Sequence, residues 1–274
     1  MCRSFSLCPR RIAVAALMVT VALAGGCRSS RAQERVPIRV AAASDLAAAF
    51  PEAGEAFRRH SGRSVSFTFC SSGLLARQIG EGAPFDVFAS ADASFVDAAV
   101  KSGTCDGTTK AFYGRGRIVL WVARAYGIRV PATVGELVDA RFSKIAIANP
   151  EHAPYGRAAK QAMERAGIWA TVASRIVYGE NAQQALQFAQ SGNAEVAIVA
   201  LSSARAKQDG EYVEIDASLH EPLDQAIVGC GRGPDWAGGL AFAAFINGEE
   251  GRAIMRRYGF VLPSEAGIAS AHGP

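Results

Sequence analysis

The sequence of 274 residues predicts an α/β protein built as two lobes. Short apolar segments, typical of strands, alternate with amphipathic segments, typical of helices, and this alternation predicts parallel βαβ units. About nine strands would make one sheet unusually wide, so two mostly parallel sheets flanked by helices and joined by crossing strands are favoured. Half of the residues are hydrophobic, which supplies a core and argues against disorder.

Hydrophobic periodicity assigns the elements in chain order. The run IVLWVA over 118–123 is continuously apolar, as in a buried strand, whereas residues 45–60 carry apolar side chains at helical spacing. By the same criteria the other predicted strands cover 38–42, 64–69, 85–89, 144–148, 175–178, 196–200 and 226–229. The other predicted helices cover 74–81, 92–102, 134–140, 156–166, 183–191, 203–208, 237–247 and 251–258.

Residues 1–32 are predicted to be a signal peptide. A positively charged start precedes the apolar run 12–24, which is too short to span a bilayer at ~1.5 Å per residue but suits a signal-peptide core. Two processing sites remain open, a lipoprotein site ending before Cys27 and an ordinary cleavage after Ala32. The protein is therefore expected outside the cytoplasm, either released into the periplasm or anchored by a lipid on Cys27.

The net charge of +4 belongs to this leader. Residues 1–32 contain five arginines and no acid, so subtracting them leaves −1 for the remainder of the chain. A protein that neutralises phosphates needs a basic face. The composition therefore gives no support for a nucleic-acid partner.

Three cysteines follow the leader, at Cys70, Cys105 and Cys230. None has the spacing of a metal ligand, and the histidines are scattered singly, so a structural zinc site is not expected. Outside the cytoplasm a disulfide can persist, and Cys105 and Cys230 both lie in glycine-rich segments. A Cys105–Cys230 disulfide and free buried thiols are both left open.

Several predicted strand-to-helix junctions share one chemistry. The N–H groups at the start of a helix are unpaired and carry a partial positive charge, which together suit an anion. Hydroxyl groups add donors, and glycine lets the backbone approach closely. The residues in question are Ser44, Ser71, Ser72, Gly73, the turn that contains Tyr155, and Asn181. One serine before a helix is ordinarily only a cap, so the prediction depends on several such junctions in order.

These junctions also carry a family resemblance. The stretches AAASDLAAAF, SSGLLARQIGEGAPFDVFASAD, ANPEHAPYGRAAKQAM, GENAQQAL and AFINGEEGRAIMRRYGF resemble the periplasmic molybdate-binding proteins of ABC transporters, over about residues 38–260. The resemblance implies a two-lobed periplasmic-binding-protein fold that closes like a hinge. Lobe 1 is expected at 36–117 plus 226–262, lobe 2 at 118–225, and a C-terminal tail at 263–274.

The resemblance implies a receptor that binds molybdate or tungstate and delivers it to a membrane ABC permease. Family contacts fall on Ser44, Ser72, Tyr155 and, as a backbone donor, Ala182. The tyrosine usual at the family's hinge is absent, because Ala200 stands at that position. Our hypothesis is that the phenol of Tyr155 supplies the missing donor.

Ser71, Asn181 and Asp45 are secondary candidates for the same site. A carboxylate would repel a dianion, so Asp45 is expected to point away and cap a helix N–H, as acids in a first helical turn do. The alternative is that Asp45 faces inward and either ligates the metal of the oxyanion or accepts a proton from hydrogen phosphate.

The chain is accordingly expected to be a monomeric, non-enzymatic receptor without a cofactor. The metal arrives within the oxyanion, so no direct protein–metal ligand is expected. Two alternatives remain: a receptor for another oxyanion such as sulfate, and a secreted hydrolase with Ser72 as nucleophile. The hydrolase is disfavoured because Ser72 is not in a Gly-x-Ser-x-Gly elbow and no histidine and acid are suitably spaced.

Overall fold

A computed structural model describes residues 36–267 of the chain. The predictions for the leader, including Cys27, and for residues 268–274 lie outside the described residues. Within residues 36–267, no helix is both long and apolar enough to cross a membrane.

Ten strands are present in the described range, and they form two five-stranded sheets. Their bounds are β1 Ile38–Ala43, β2 Val65–Cys70, β3 Val87–Ser90, β4 Ala111–Gly116, β5 Ile118–Ala123, β6 Ile145–Ala148, β7 Ile176–Gly179, β8 Val196–Ala200, β9 Gly210–Glu214 and β10 Leu223–Gly229.

Within residues 36–267, nine α-helices pack around these sheets. Their bounds are α1 Ala49–Ser61, α2 Ser72–Gly80, α3 Ala93–Lys101, α4 Pro154–Arg165, α5 Trp169–Val172, α6 Ala182–Gln190, α7 Leu201–Arg205, α8 Trp236–Asn247 and α9 Glu249–Arg257. The predicted helix at 45–60 is divided, because a 3₁₀ turn at Ser44–Leu46 precedes α1. The predicted helix at 134–140 is a 3₁₀ helix, Val134–Val138.

The two sheets have the same plan. Lobe 1 has the order β2-β1-β3-β10-β4 and lobe 2 the order β7-β6-β8-β5-β9. In each sheet the first three strands are parallel, and the fourth pairs antiparallel with both of its neighbours. Four strands of each sheet therefore point the same way and one runs against them, in agreement with a mostly parallel sheet in each lobe.

The chain crosses between the lobes twice. The first crossing lies between β4 and β5, at Arg117, and the second lies between β9 and β10, within residues 215–222. The predicted boundary at 225/226 is wrong by three residues, because β10 already pairs with β4 from Leu223 onward. Lobe 1 therefore resumes at 223. The sequence pattern did not predict that this strand begins at Leu223, because Asp224 and Gln225 interrupt the apolar pattern.

The strands β4 and β9 were not predicted from the sequence. Both lie at a sheet edge, and their sequences, AFYGRG and GEYVE, mix glycine and charged residues with apolar ones. An edge strand is half-covered and needs no continuous apolar run, so hydrophobic periodicity does not detect it.

The Cys105–Cys230 disulfide joins the loop after α3 to the end of β10. The disulfide therefore ties the first chain segment of lobe 1 to the segment that returns from lobe 2. Cys70 is a free cysteine and is half-buried.

Candidate functional site

A small cavity of about 10 Å³ lies between the two lobes. Pockets for drug-sized organic ligands usually enclose ~300–1,000 Å³, so this cavity suits a small inorganic ligand. It is lined by Ala43, Ser44, Asp45, Cys70, Ser71, Ser72, Ala91, Ala153, Pro154, Tyr155 and Ala182. The residues predicted for the site from the sequence line the cavity, except Asn181, which immediately precedes Ala182, and Gly73, which immediately follows Ser72.

The cavity lies at the carboxyl ends of parallel strands. β1 ends at the 3₁₀ turn of Ser44, and β2 ends directly before α2. In lobe 2, β6 leads into the turn before α4, and β7 leads into α6. Ligands of open α/β sheets bind at this edge. The cavity is therefore bordered by the N-termini of three helices of nine or more residues, α2, α4 and α6.

Lobe 1 offers serine hydroxyls to the cavity. Ser44 and Ser72 are buried, with 5% and 1% of their surface exposed. The N–H of Ala91 donates to Ser72 Oγ at 3.0 Å, so the hydroxyl hydrogen of Ser72 stays available to a ligand. Within the described residues Ser44 Oγ makes no hydrogen bond, and it is likewise available.

Lobe 2 offers backbone N–H groups. Ala182 is the first residue of α6, and its N-cap Asn181 accepts the N–H groups of Gln183 and Gln184 at 3.0 and 3.1 Å. The Asn181 side chain therefore leaves the N–H of Ala182 unpaired at the cavity. In α4 the second residue is Tyr155, and the preceding Pro154 has no N–H.

The start of α2 adds a third N–H group, that of Ser72. The N–H groups of Ser72, Tyr155 and Ala182 have no acceptor within their own helices. In the described part of the chain, no other hydrogen bond engages them.

Asp45 faces the cavity, so the expectation that it points away and caps a helix is wrong. The side chain accepts the hydroxyl of Tyr155 at 3.0 Å and Nε2 of Gln225 at 2.8 Å. The backbone carbonyl of Asp45 accepts Ser202 Oγ from lobe 2 at 2.7 Å. Burial raises the pKa of Asp45 from 3.8 to about 6, although the hydrogen bonds from Gln225 and Tyr155 oppose that rise.

Tyr155 directs its hydroxyl at Asp45 in this structure. The same oxygen accepts Nε2 of Gln225 at 3.0 Å, and Oε1 of Gln225 accepts the hydroxyl of Tyr113 at 2.6 Å. The hypothesis that the Tyr155 phenol donates to a ligand is therefore not met in this arrangement. Ala200, at the position of the missing hinge tyrosine, is the buried end of β8.

Tyr113 and Gln225 were not predicted from the sequence. Tyr113 lies in the edge strand β4, and Gln225 lies in β10 among buried apolar residues. Gln225 is fully buried, and one uncharged polar residue inside an apolar strand was the only signal for it.

Ser71 lies at the cavity, but its hydroxyl is hydrogen-bonded to Nδ1 of His152 from lobe 2 at 2.8 Å. The N–H of Gly73 donates to the carbonyl oxygen of His152 at 2.9 Å. The lobes are thus in direct contact beside the cavity. The hydrolase alternative requires a histidine base hydrogen-bonded to Ser72. Among the described residues Ser72 has no such partner, because His152 is hydrogen-bonded to Ser71 instead.

Neutral donors dominate the cavity. No lysine, arginine or histidine is among its lining residues, and Asp45 is its only carboxylic acid. Within residues 36–267 there is no cluster of three or more histidine, cysteine, aspartate or glutamate residues that could hold a metal ion. Hydroxyl and N–H donors of this kind suit an oxyanion.

Comparisons with known proteins agree with this geometry. The family model of the bacterial extracellular solute-binding proteins matches residues 38–261. The molybdate-binding protein of Rhodobacter capsulatus is 36% identical over 77% of this chain and 82% of its own length. That of Azotobacter vinelandii is 31% identical over 89% of this chain and 97% of its own length.

Solved structures agree as well. The Azotobacter vinelandii periplasmic molybdate-binding protein superposes with a TM-score of 0.73 at 29% identity, covering 82% of this chain and 99% of that chain. A sulfate-binding protein from Mycobacterium tuberculosis has a TM-score of 0.71 at 14% identity, over 85% of this chain and 89% of that chain. The second similarity shows the fold alone.

Proposed function

The chain belongs to the bacterial extracellular solute-binding proteins, and within them to the family of the periplasmic molybdate-binding proteins; from this premise we propose that it binds molybdate or tungstate between its lobes and delivers the anion to an ABC permease. The observation that carries the proposal is the convergence of unpaired donors on one small cavity. The proposed ligand donors are the hydroxyls of Ser44 and Ser72 and the N–H groups of Tyr155 and Ala182.

Ser71 and Asn181 do not contact the ligand in this proposal, but they hold the donor groups and the two lobes in position. Asn181 accepts the two N–H groups that follow Ala182, which leaves the Ala182 N–H directed at the ligand. Ser71 binds His152 across the cleft and thereby favours the closed arrangement. The metal atom is surrounded by its own oxygens, so the protein contacts it through oxygen only.

Binding and closure are coupled in this proposal. Each lobe alone offers about half of the donors, so an anion that contacts both lobes stabilises the closed form over the open one. The permease then recognises the closed form outside the cytoplasm. The receptor acts as a monomer, with no catalysis and no cofactor.

Calorimetric titration of the protein without its leader tests the proposal. Molybdate and tungstate should release heat and raise the unfolding temperature, because a ligand that binds only the folded state stabilises it. Sulfate and phosphate serve as competitors. Tight binding of sulfate alone would favour the sulfate-receptor alternative, and no response to molybdate or tungstate would reject the proposal. Stoichiometric labelling of Ser72 by a serine-reactive probe would favour the hydrolase, and size-exclusion chromatography checks the monomer.

A further inference from the structure

We propose that Asp45 takes up one proton when an oxyanion enters the cavity, and that this proton releases the Tyr155 hydroxyl from Asp45 so that it donates to the ligand. The inference rests on the proposed function and names the residue that sets the charge of the same site. It explains how a carboxylate can line a cavity for a dianion.

The hydrogen atoms in the network fix the starting arrangement. Gln225 presents Oε1 to the hydroxyl of Tyr113, so its Nε2 faces Asp45 and Tyr155. Nε2 can only donate. The single hydrogen of the Tyr155 hydroxyl is therefore directed at Asp45 Oδ2, 3.0 Å away. In this state Tyr155 and Asp45 turn only lone pairs toward any additional ligand.

A dianion beside an ionised Asp45 would be strongly disfavoured. Two like charges in one buried site do not both stay ionised when a proton can neutralise one of them. The cavity contains no lysine or arginine to compensate the second charge. The ionised carboxylate would also have to share the donors of the cavity with the ligand.

The elements packed around Asp45 bring no compensating cation. α4 and β4 contribute Tyr155 and Tyr113, and burial, together with the negative charge of Asp45, raises the pKa of both phenols. β10 contributes the neutral Gln225. Neither phenol can therefore replace Asp45 as the group that changes charge near neutral pH.

The turn Ser44–Leu46 also packs against β2, α6 and α7. β2 brings the thiol of Cys70, and α6 contains no ionisable side chain. α7 brings Arg205, which is exposed and donates to the carbonyl oxygen of Arg257 at 3.2 Å. Its charge is thus engaged away from Asp45.

The proton balance of the step is simple. One proton passes from solvent to Oδ2 of Asp45, and no bond in the ligand breaks. Protonated Asp45 donates to the Tyr155 oxygen, and the Tyr155 hydrogen turns to an oxygen of the ligand. Tyr155 then provides the donor that Ala200 cannot provide.

The direction of the pH dependence follows. The pKa of Asp45 is about 6 without ligand, and a bound dianion raises it further, so the bound state holds more protons than the free state. Affinity therefore falls as pH rises above about 6. If the bound form stays protonated, the dissociation constant rises about 50-fold between pH 6 and pH 8.

The test is titration calorimetry with molybdate at pH 7.5 in buffers of different ionisation enthalpy, which counts the protons exchanged on binding. We expect uptake of about one proton per anion. Binding without proton uptake would overturn the inference and leave the proposed function intact. Failure of molybdate to bind at any pH between 6 and 8 would instead reject the proposed function.

Asp45→Asn is the decisive variant, because the amide side chain has the shape of aspartate but carries no charge and takes up no proton. We expect proton uptake to fall to about zero and the pH dependence to flatten, with affinity at pH 8 above that of the unmodified protein. The matched control is Asp224→Asn, on β10 beside Gln225, whose carboxylate binds Arg115 outside the cavity. It should keep the normal uptake. Uptake that persists in Asp45→Asn would overturn the inference.

Tyr155→Phe separates the two parts of the inference. Loss of a hydrogen bond to a charged ligand should weaken molybdate binding by about 10-fold to 100-fold, while Asp45 still takes up its proton. Unchanged affinity would overturn the role of Tyr155. Circular dichroism of both variants shows whether they fold.

Discussion

The two lobes share one sheet plan but differ in how the chain builds them. Lobe 2 is continuous, from β5 to β9, whereas lobe 1 is assembled from two segments that lobe 2 separates. The Cys105–Cys230 disulfide spans 125 positions and joins these two segments. Lobe 2 contains no cysteine in its described elements. The disulfide thus links two segments of lobe 1 that the polypeptide itself connects only through lobe 2.

The lobes also differ in the donors they offer. Lobe 1 presents mainly side chains, those of Ser44, Ser72 and the acid Asp45, beside the single N–H of Ser72, whereas lobe 2 presents backbone N–H groups at Tyr155 and Ala182. Side-chain donors change with any substitution, but backbone donors persist unless the N–H itself is removed. The two halves of the site should therefore respond differently to mutation.

Removal of the disulfide should have the largest effect on stability. Replacing Cys105 and Cys230 by serine opens the covalent loop of 125 positions that contains lobe 2, and it should cost about 2–5 kcal/mol of unfolding free energy. Urea denaturation measures the change. Cys70→Ser, at the free cysteine, is the control and should cost less than about 1.5 kcal/mol. A loss of under about 1 kcal/mol in the double variant would show that the link contributes little to joining the segments.

Asp45→Asn should stabilise the ligand-free protein at pH 8. The shift in pKa from 3.8 to about 6 corresponds to a penalty of about 3 kcal/mol once Asp45 is ionised in both states. Between these two pKa values the unfolded state has lost its proton and the folded state has kept it. Stability of the unmodified protein should therefore fall as pH rises from about 4 to 6 and stay level above 6.

Urea unfolding at pH 3.5, 5 and 8 tests that profile. The difference between Asp45→Asn and the unmodified protein should grow with pH and nearly vanish at pH 3.5. Asp224→Asn should show no such growth. A constant difference across the three pH values would contradict ionisation of Asp45 as the cause.

The contrast between side-chain and backbone donors can be tested on one residue from each lobe. Ser72→Ala removes a hydroxyl donor and should weaken molybdate binding by about 1.5–3 kcal/mol. Ala182→Gly keeps the N–H and should change affinity little. Ala182→Pro removes the N–H at the first position of a helix, where proline is tolerated, and should weaken binding at least as much as Ser72→Ala. Equal affinities of the glycine and proline variants, by calorimetry, would exclude the Ala182 N–H as a donor.

Gly73→Ala should interfere with the contact between the lobes. A Cβ at Gly73 would lie 2.8 Å from the carbonyl oxygen and 2.9 Å from the Cβ of His152, so closure would cost about 1–3 kcal/mol. Molybdate affinity should fall accordingly while the unfolding free energy changes little. Gly80→Ala, in the same helix with no atom within 4 Å of its new Cβ, should bind normally. Normal binding by Gly73→Ala would show that the lobes close without this approach.

Local chemistry made several parts of the molecule predictable. The run 118–123 is buried throughout in β5, because six apolar residues in succession suit a strand covered on both faces. Asn181 caps α6 as its side chain suggests. Ser44, Ser72, Tyr155 and Ala182 line one cavity because strand order places their helix starts at the same sheet edge.

The orientation of Asp45 could not be predicted in this way. Its partners, Tyr155 and Gln225, are 110 and 180 positions away in sequence, and β10 brings Gln225 back to lobe 1 only after the chain has built lobe 2. An acid at a helix start would ordinarily cap its own turn, but here two distant donors satisfy it.

The sequence by itself determined the α/β class, most of the buried strands and the set of neutral donors, because these depend on periodicity and on the chemistry of helix starts. The tertiary structure decided which donors remain unpaired and where the acid of the site points. Both depend on contacts between lobes whose residues are far apart along the chain. Burial among those contacts, rather than local sequence, raises the pKa of Asp45 and brings its change of charge close to neutral pH.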